Sequence, residues 1–131
     1  MIELLVVILI IAILAVIALP AFLSQRGKAE DAEAKAAART AQTAMETWYT
    51  QEASYAGVDA AGTELKRIEP SLRDGAGATL AVSDNNATEY TVTVESTTGN
   101  SFSITKSGSV VTRSCATVGR YGCPPGGATN W

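Results

Sequence analysis

The hydrophobic and polar positions divide this chain into three regions with different periods. Residues 2–23 are apolar or proline except for Glu3, so this stretch has no polar face. A helix rises about 1.5 Å per residue, and one of this length covers roughly the 30 Å hydrocarbon core of a bilayer. The pattern therefore predicts one membrane-spanning helix, with a single carboxylate near its start that needs compensation.

The sequence leaves two explanations for Glu3 open. Its carboxylate can lie at the headgroup boundary, where an acid suits a helix N-terminus. Alternatively, it can meet a positive partner inside an assembly of apolar helices, most simply the terminal amine of a neighbouring copy, and a buried pair of that kind sets register.

From residue 24 to about 52, apolar residues recur every three or four positions in an alanine-rich, charged stretch. They form one face of a helix: Ala34, Ala37, Ala41, Ala44 with Met45, and Trp48. Two pairs of opposite charge lie four residues apart and are expected to stabilise the helix on its solvent-exposed side: Arg26 with Glu30, and Asp31 with Lys35. We expect the two stretches to form one helix of about 50 residues, with Trp48 and Tyr49 filling its far end.

The period changes to two near residue 79 and predicts four antiparallel strands: Thr79–Ser83, Thr88–Glu95, Ser101–Lys106 and Ser109–Cys115. Before them, residues 54–78 have loop chemistry and one short helical candidate, which Thr63 caps and Pro70 stops. A sheet with one apolar face needs a cover, and the amphipathic helix supplies it. The fold class is therefore α+β: a long N-terminal helix, half apolar and half amphipathic, packed on a four-stranded antiparallel sheet.

These elements set the domain organisation. Residues 1–25 form the transmembrane helix, and the rest is enough for one small globular head, 26–131. Within the head, the amphipathic half of the helix covers 26–53, a loop 54–78, the sheet 79–115 and a tail 116–131.

Composition and charge exclude several function classes. The net charge of −3 argues against a general grip on nucleic acid, which needs a basic surface. The chain has no histidine, the commonest general base and metal ligand. It also lacks a nucleophile paired with a base and a glycine-rich phosphate loop. We predict no catalytic residue, no metal site and no cofactor, so an enzyme is the least favoured class.

Cys115 and Cys123 are the only cysteines. A metal site would lack further ligands, and a redox pair would lack the close spacing of a catalytic dithiol. We favour a structural disulfide, which would contribute roughly 2 to 3 kcal/mol and pin the tail from Pro124 to Trp131.

One turn between the predicted strands offers two weaker sites. Asp84, Asn85 and Asn86 with Glu89 supply oxygen ligands for calcium, but their spacing fits no known calcium loop and a hairpin turn is favoured. Asn86 also begins an Asn-Ala-Thr glycan acceptor pattern, for which chance is the better explanation, and the exposed serines and threonines of the strands are equally plausible modification sites.

Residues 1–7 (MIELLVV), the apolar run that follows and residues 18–22 (ALPAF) closely resemble the N-terminal segment of type IV pilins and of the pseudopilins of type II secretion systems. The resemblance implies a prepilin that is held in the membrane by this helix, trimmed by a prepilin peptidase and N-methylated. It further implies that the helices pack into the core of a filament, with Glu3, Leu4, Leu5 and Pro20 as assembly residues and Glu3 pairing with a neighbour's N-terminus. The head that it implies is the same α+β arrangement.

Two departures from the family pattern concern the apolar helix. Mature pilins usually begin with a methylated aromatic four residues ahead of the glutamate, whereas only two residues precede Glu3 here. Ala12 replaces a glycine often found mid-helix, and this should stiffen the helix.

Pro20 is retained from the family pattern, lacks a backbone donor and leaves the carbonyl of Val16 without its helical partner. We expect local melting or a kink between about Ala15 and Pro20, as the resemblance implies, with an ordinary proline bend as the alternative.

We therefore predict a structural subunit that polymerises through its apolar helix into an extracellular type IV pilus used for surface attachment, motility or DNA uptake. Its expected partners are copies of itself, the membrane before assembly, the pilus assembly machinery and the prepilin peptidase, without general nucleic-acid binding. The alternatives are a pseudopilin and a monomeric single-span binding module. Residues 54–58 do not match the Tyr-Pro-Thr-Thr-Glu-like stretch usual in major pseudopilins, and this favours a pilus.

The localisation signals conflict. Arg26 and Lys28 follow the apolar run and favour a cytoplasmic flank, whereas the cysteine pair favours an oxidising exterior. Because the leader removed from prepilins normally carries the charges that set topology, we place the head at the cell surface in an extracellular filament, with a membrane-anchored precursor pool.

Overall fold

The computed structural model of this protein describes residues 1–72, 78–125 and 131. The first element is a 51-residue helix, α1, Ile2–Glu52. It ends where Ala53 adopts a left-handed conformation and its N–H donates to the carbonyl of Tyr49 at 2.8 Å. The prediction of one helix of this length is confirmed.

Helix α1 runs unbroken through Pro20. The melting expected between Ala15 and Pro20 is therefore not found in this single chain. Proline removes only one donor from the helical ladder, and the hydrogen bonds on either side are enough to maintain the helix in a long apolar segment. Melting within a filament stays a prediction.

The sheet has four antiparallel strands in the order β1-β2-β3-β4. They are β1 Thr79–Ser83, β2 Glu89–Glu95, β3 Ser101–Ser107 and β4 Val110–Cys115. Each predicted strand is confirmed, with ends that move by no more than one residue. The α+β fold class is likewise confirmed, since α1 packs across β2 and β3.

The core lies between an alanine-rich face of α1 and the apolar face of the sheet. The helix contributes Ala34, Ala38, Ala41, Ala44 and Met45, and the sheet contributes Tyr90, Val92, Val94, Phe102 and Ile104, all buried. Small helix residues let the backbone approach large sheet residues closely. The sequence pattern placed Ala37 in this face, but Ala37 is only half-buried because Ala38, four residues after Ala34, points at the sheet.

Two shorter elements precede the sheet, namely α2, Thr63–Ile68, and a 3₁₀ turn, Pro70–Leu72. The prediction that Thr63 caps α2 is wrong, because Gly62 is the N-cap residue in a left-handed conformation. Thr63 instead donates its backbone N–H and its hydroxyl to the carboxylate of Asp59, each at 2.7 Å. Parts of the predicted loop and tail, residues 73–77 and 126–130, lie outside the described residues.

The far end of α1 also differs from the prediction. Trp48 is half-buried and packs against the core, whereas Tyr49 is exposed. The ring of Tyr49 contacts that of Tyr55, at 4.6 Å between centroids.

The alanine face gives a test of the packing. Changing Ala38 to Leu inserts a larger side chain where Ala38 has no exposed surface, and should lower the free energy of unfolding by about 1–3 kcal/mol. Chemical unfolding of the detergent-solubilised chain, followed by tryptophan fluorescence, measures this. Ala36→Leu on the exposed face of the same helix is the matched control, and an equal loss there would contradict the packing described.

Candidate functional site

The largest candidate site is the uncovered apolar half of α1. An 18-residue window of this helix has a mean hydropathy of 3.4, and none of it is buried. Its length and composition are sufficient to cross a membrane, and its large side chains from Ile2 to Leu23 are exposed. Such a surface is stable only when lipid or other apolar chains cover it.

The assembly residues expected from the sequence all lie on this uncovered half. Glu3 is in the first turn of α1, where the positive end of the helix dipole favours an acid. Leu4 and Leu5 are 69% and 60% exposed, and Pro20 is exposed further along. The single chain therefore presents these side chains outward, which leaves them available to a lipid or protein neighbour.

A second site lies where α1 enters the head, around the carboxylate of Asp31. Asp31 has no exposed surface. Its oxygens accept hydrogen bonds from the hydroxyl of Thr98 at 2.6 Å, the side-chain amide of Asn100 at 3.2 Å and the backbone N–H of Gly122 at 3.0 Å. One carboxylate thus joins α1 to the turn between β2 and β3 and to the loop closed by the cysteines.

This arrangement corrects the prediction for the pair of Asp31 and Lys35. Their spacing suggested a solvent-side ion pair, but Asp31 is buried and Lys35 donates instead to the carbonyl of Gly122 at 2.6 Å. The two side chains therefore bind the N–H and the carbonyl of the same residue. The other predicted pair is confirmed, since Arg26 and Glu30 approach to 2.9 Å.

The hydrogen bonds decide the charge state of Asp31, which lies outside the apolar segment. Burial by itself pushes the pKa of this carboxyl upward, but hydrogen bonds from Thr98, Gly122, Ser96 and Asn100 together hold the pKa below its ordinary 3.8. The carboxyl of Asp31 therefore remains ionised at neutral pH, although it is buried in the folded chain.

Two glycines let the cysteine loop approach α1 this closely. A Cβ on Gly122 would come within 2.7 Å of the Cβ of Asp31, and one on Gly27 would come within 2.6 Å of the ring of Tyr121. Real Cβ atoms do not tolerate such distances. Glycine at both positions therefore lets the loop lie against the helix without displacing Asp31 or the ring of Tyr121.

The predicted disulfide is present between Cys115 and Cys123. Next to it, the indole N–H of Trp131 donates to the carbonyl of Ser114 at 2.9 Å, and its ring packs edge-to-face on Phe102 with centroids 5.4 Å apart. Lys35 and Arg39 lie over the same ring, at 5.9 and 5.8 Å. The disulfide loop and Trp131 thus form one surface with α1.

This surface is basic, and we call it the basic side. Lys28, Lys35 and Arg39 follow one another at seven and four residues, so they share a stripe of α1. The disulfide loop adds Arg120, whose guanidinium lies 5.0 Å from the centroid of the Tyr121 ring. Among the described residues, the one carboxylate hydrogen-bonded to this loop is the buried Asp31.

The charge asymmetry was readable in the sequence and was missed there. Residues 96–131 contain three of the ten basic residues and none of the thirteen acids, so their formal charge is +3 and that of residues 1–95 is 7 − 13 = −6. A single net charge of −3 conceals this division.

A further polar cluster lies at the other end of the head. Glu46 accepts hydrogen bonds from the hydroxyls of Tyr55 at 2.9 Å and Tyr90 at 3.0 Å, and pairs with Lys106 at 2.9 Å. Burial pushes the pKa of Glu46 upward, but Lys106 and the two tyrosines hold it below its ordinary value. The cluster satisfies polar groups beside the core and anchors α1 to β2 and β3.

The weaker predicted site around Asn86 is a structured turn. Asn86 is exposed, and its side-chain carbonyl accepts from the N–H groups of Thr88 and Glu89. The amide of Asn85 donates to the carbonyls of Tyr55 and Val58, so it is directed at the preceding loop rather than toward Asp84. Glycosylation of Asn86 stays a prediction.

The fold and the site together define a class of protein. A long helix with an uncovered apolar half, an alanine face packed on a four-stranded sheet, and a disulfide loop that closes the head are the architecture of a type IV pilin.

The comparison with protein families agrees with this class. Residues 20–119 match the family described as type IV minor pilin ComP, DNA uptake sequence receptor, and the chain belongs to that family. No curated protein and no solved structure matches it. The matched region contains the amphipathic part of α1 and the whole sheet but little of the apolar segment, so the head supports the class independently of the N-terminal motif.

The buried carboxylate gives a test. Replacing Asp31 with Ala leaves its donors without their acceptor and should lower the free energy of unfolding by about 1.5–3 kcal/mol at neutral pH. Because folding lowers the pKa of Asp31, its contribution is complete above the pKa of about 3.9 in the unfolded chain and is lost as the pH falls through the folded value.

Chemical unfolding at pH 7 and near pH 2 measures both effects, and the difference between wild type and Asp31→Ala should shrink at the lower pH. Glu33→Ala, an exposed acid two residues away, is the control. A difference that stays constant with pH would contradict the role of the charge.

Proposed function

We propose that this chain polymerises through the apolar half of α1 into a type IV pilus filament, after a membrane-anchored precursor stage. The observation that supports this most directly is the uncovered apolar surface from Ile2 to Leu23, which is continuous with a helix whose other half is already packed in a folded head. A membrane covers this surface in the precursor, and neighbouring helices cover it in the filament.

Glu3 supplies the register in this proposal. A carboxylate among apolar helices is costly unless it is paired, and the terminal amine of a neighbouring copy is the simplest partner. Pairing at one level of the stack favours one axial offset between subunits over all others. The prepilin peptidase and the assembly machinery are the further partners that this route requires.

The test is Glu3→Ala in the cells that make the protein. The variant should remain in the membrane fraction, since the apolar segment is unchanged, but its filament yield should fall sharply because the register is lost. Electron microscopy of sheared material and immunoblotting of membranes measure the two quantities. Glu52→Ala, at the exposed end of α1, controls for the loss of one carboxylate. Normal filaments from Glu3→Ala would contradict the pairing.

The same microscopy separates the alternatives. A protein that stays in the membrane fraction and enters no fibre would support the monomeric module, and a short periplasmic assembly would support a pseudopilin. Attachment, motility and DNA uptake remain the candidate uses of the filament.

The family description and the basic side favour one of these uses, contact with DNA. Lys35 and Arg39 lie over the ring of Trp131, and Arg120 lies over the ring of Tyr121, so these cations share the surface formed by α1 and the disulfide loop on a protein whose net charge is negative. Cations spaced along one surface bind the phosphate backbone and release its counterions. The net charge argues against a general grip, whereas a local stripe permits contact on this side of the head.

This contact predicts a position-dependent effect of charge removal. Changing both Arg39 and Arg120 to Ala should weaken binding of labelled duplex DNA to the detergent-solubilised chain. The slope of log affinity against log salt should become shallower by roughly 0.9 for each phosphate that is no longer neutralised. Fluorescence anisotropy at several salt concentrations measures it. Arg67→Ala, on α2, is the control, and an equal effect there would show that only overall charge matters.

A further inference from the structure

Strand β4 lies at an edge of the sheet, and its outer side is open. The strand order places β4 beside β3 alone, and α1 packs across β2 and β3. The opposite edge of the sheet is covered, since the N–H of Val82 on β1 donates to the carbonyl of Ala60 at 2.9 Å. An open edge presents unpaired backbone donors and acceptors to an incoming strand.

The register shows which backbone groups of β4 are unpaired. The N–H of Ala116 donates to the carbonyl of Ser101 at 3.0 Å, and hydrogen-bonded pairs alternate along an antiparallel ladder. Every second residue from Val110 onward therefore bonds to β3. Val111 and Arg113 direct their N–H and carbonyl groups away from β3, and within residues 1–72, 78–125 and 131 these groups have no hydrogen-bond partner.

Arg113 adds a chemical requirement at the same edge. Its register partner Ile104 is buried on the face toward α1, so the side chain of Arg113 lies on that face too. The Nε atom of Arg113 is buried and has no hydrogen-bond partner in the described part of the chain. A buried donor without an acceptor is unfavourable, and a carboxylate is the acceptor that suits a guanidinium best.

The valines beside Arg113 define the rest of the partner. Val111 is two residues away and thus on the same face, where it is 40% exposed. An incoming strand with an apolar side chain two positions from its carboxylate covers Val111 while the carboxylate meets Arg113. A wholly apolar strand leaves the guanidinium unpaired, and an inward-facing charge of this kind is how a sheet edge rejects unsuitable strands.

We propose that β4 binds an extended acidic segment of another protein as a fifth strand of the sheet, with a carboxylate of that segment paired to Arg113. The local charge favours this partner, because residues 96–131 carry a formal charge of +3 and contain no acid. The contact uses neither the apolar half of α1 nor Arg39 and Arg120. It therefore adds a partner to those of the proposed function.

A designed peptide tests this site in the detergent-solubilised full-length chain. The labelled probe is Thr-Val-Thr-Glu-Thr-Val-Thr, which places its valines and its glutamate on one face in either strand direction. It should bind roughly tenfold more tightly than the same peptide with glutamine in place of glutamate, because glutamine forms no charge-assisted pair. Arg113→Gln should remove this preference. Arg120→Gln, which removes another cation of residues 96–131, should retain it, and fluorescence anisotropy measures the affinities.

Hydrogen exchange and a proline variant test the strand geometry. In the free chain the amides of Val111 and Arg113 should exchange faster than that of Thr112, and the bound peptide should slow both. Val111→Pro removes only an N–H that points away from β3. It should therefore abolish peptide binding and leave chemical unfolding nearly unchanged.

Three results would overturn the proposal. Amides of Val111 and Arg113 that are already protected in the free chain would show that the edge is covered. Equal affinities for the two peptides, or no binding of either, would remove the pairing with Arg113. If Arg113→Gln weakens the binding of duplex DNA and leaves the two peptide affinities unchanged, the guanidinium belongs to the DNA contact and not to a bound strand.

Discussion

Everything in this structure depends on one constraint, which is that α1 must be buried along its whole length but the chain covers only half of it. The half from Gly27 to Met45 packs against the sheet, whereas the half before Leu23 is exposed. Apolar burial is the main favourable free-energy term in folding and in association. Burying the uncovered half against lipid or other chains is therefore favoured for the same reason that the head folds. In the function proposed above, lipid covers this half first and other subunits cover it later.

The junction between the two halves is where the head is held to the helix. Asp31 and Lys35 bind both polar groups of Gly122, and the glycine at 27 lets Tyr121 pack on the same turn. A buried charge with several donors costs little once it is satisfied and is expensive to disturb, so it fixes one geometry rather than adding much stability. This contact holds the disulfide loop, Trp131 and the basic side in place against α1.

The charges of this protein are unevenly distributed along the chain. Residues 96–131 carry a formal charge of +3 and residues 1–95 one of −6, so β4 and the disulfide loop belong to a basic part of a protein whose total charge is negative. The DNA contact proposed for Arg39 and Arg120 draws on this local charge and not on the net charge.

The sequence by itself determined the elements. The uniform apolar run, the period of three to four in the alanine-rich stretch and the period of two after residue 79 report local geometry, so helix α1 and all four strands were predicted nearly to the residue. The N-terminal motif and the two cysteines likewise indicated the class of protein and the disulfide, because these signals lie in contiguous or unique residues.

Only the tertiary structure decided how side chains far apart in sequence meet. The partners of Asp31 are 67 to 91 residues away in sequence. Spacing along the helix therefore suggested a surface ion pair with Lys35, whereas the fold buries the carboxylate and bonds it to the β2–β3 turn and the disulfide loop. Ala38 replaced Ala37 in the core because the exact angle of the helix over the sheet selects which of two adjacent alanines points inward. The continuity of α1 at Pro20 could not be predicted from the local pattern either. The pattern shows that one helical hydrogen bond is missing, but not that the hydrogen bonds on either side are enough to maintain the helix.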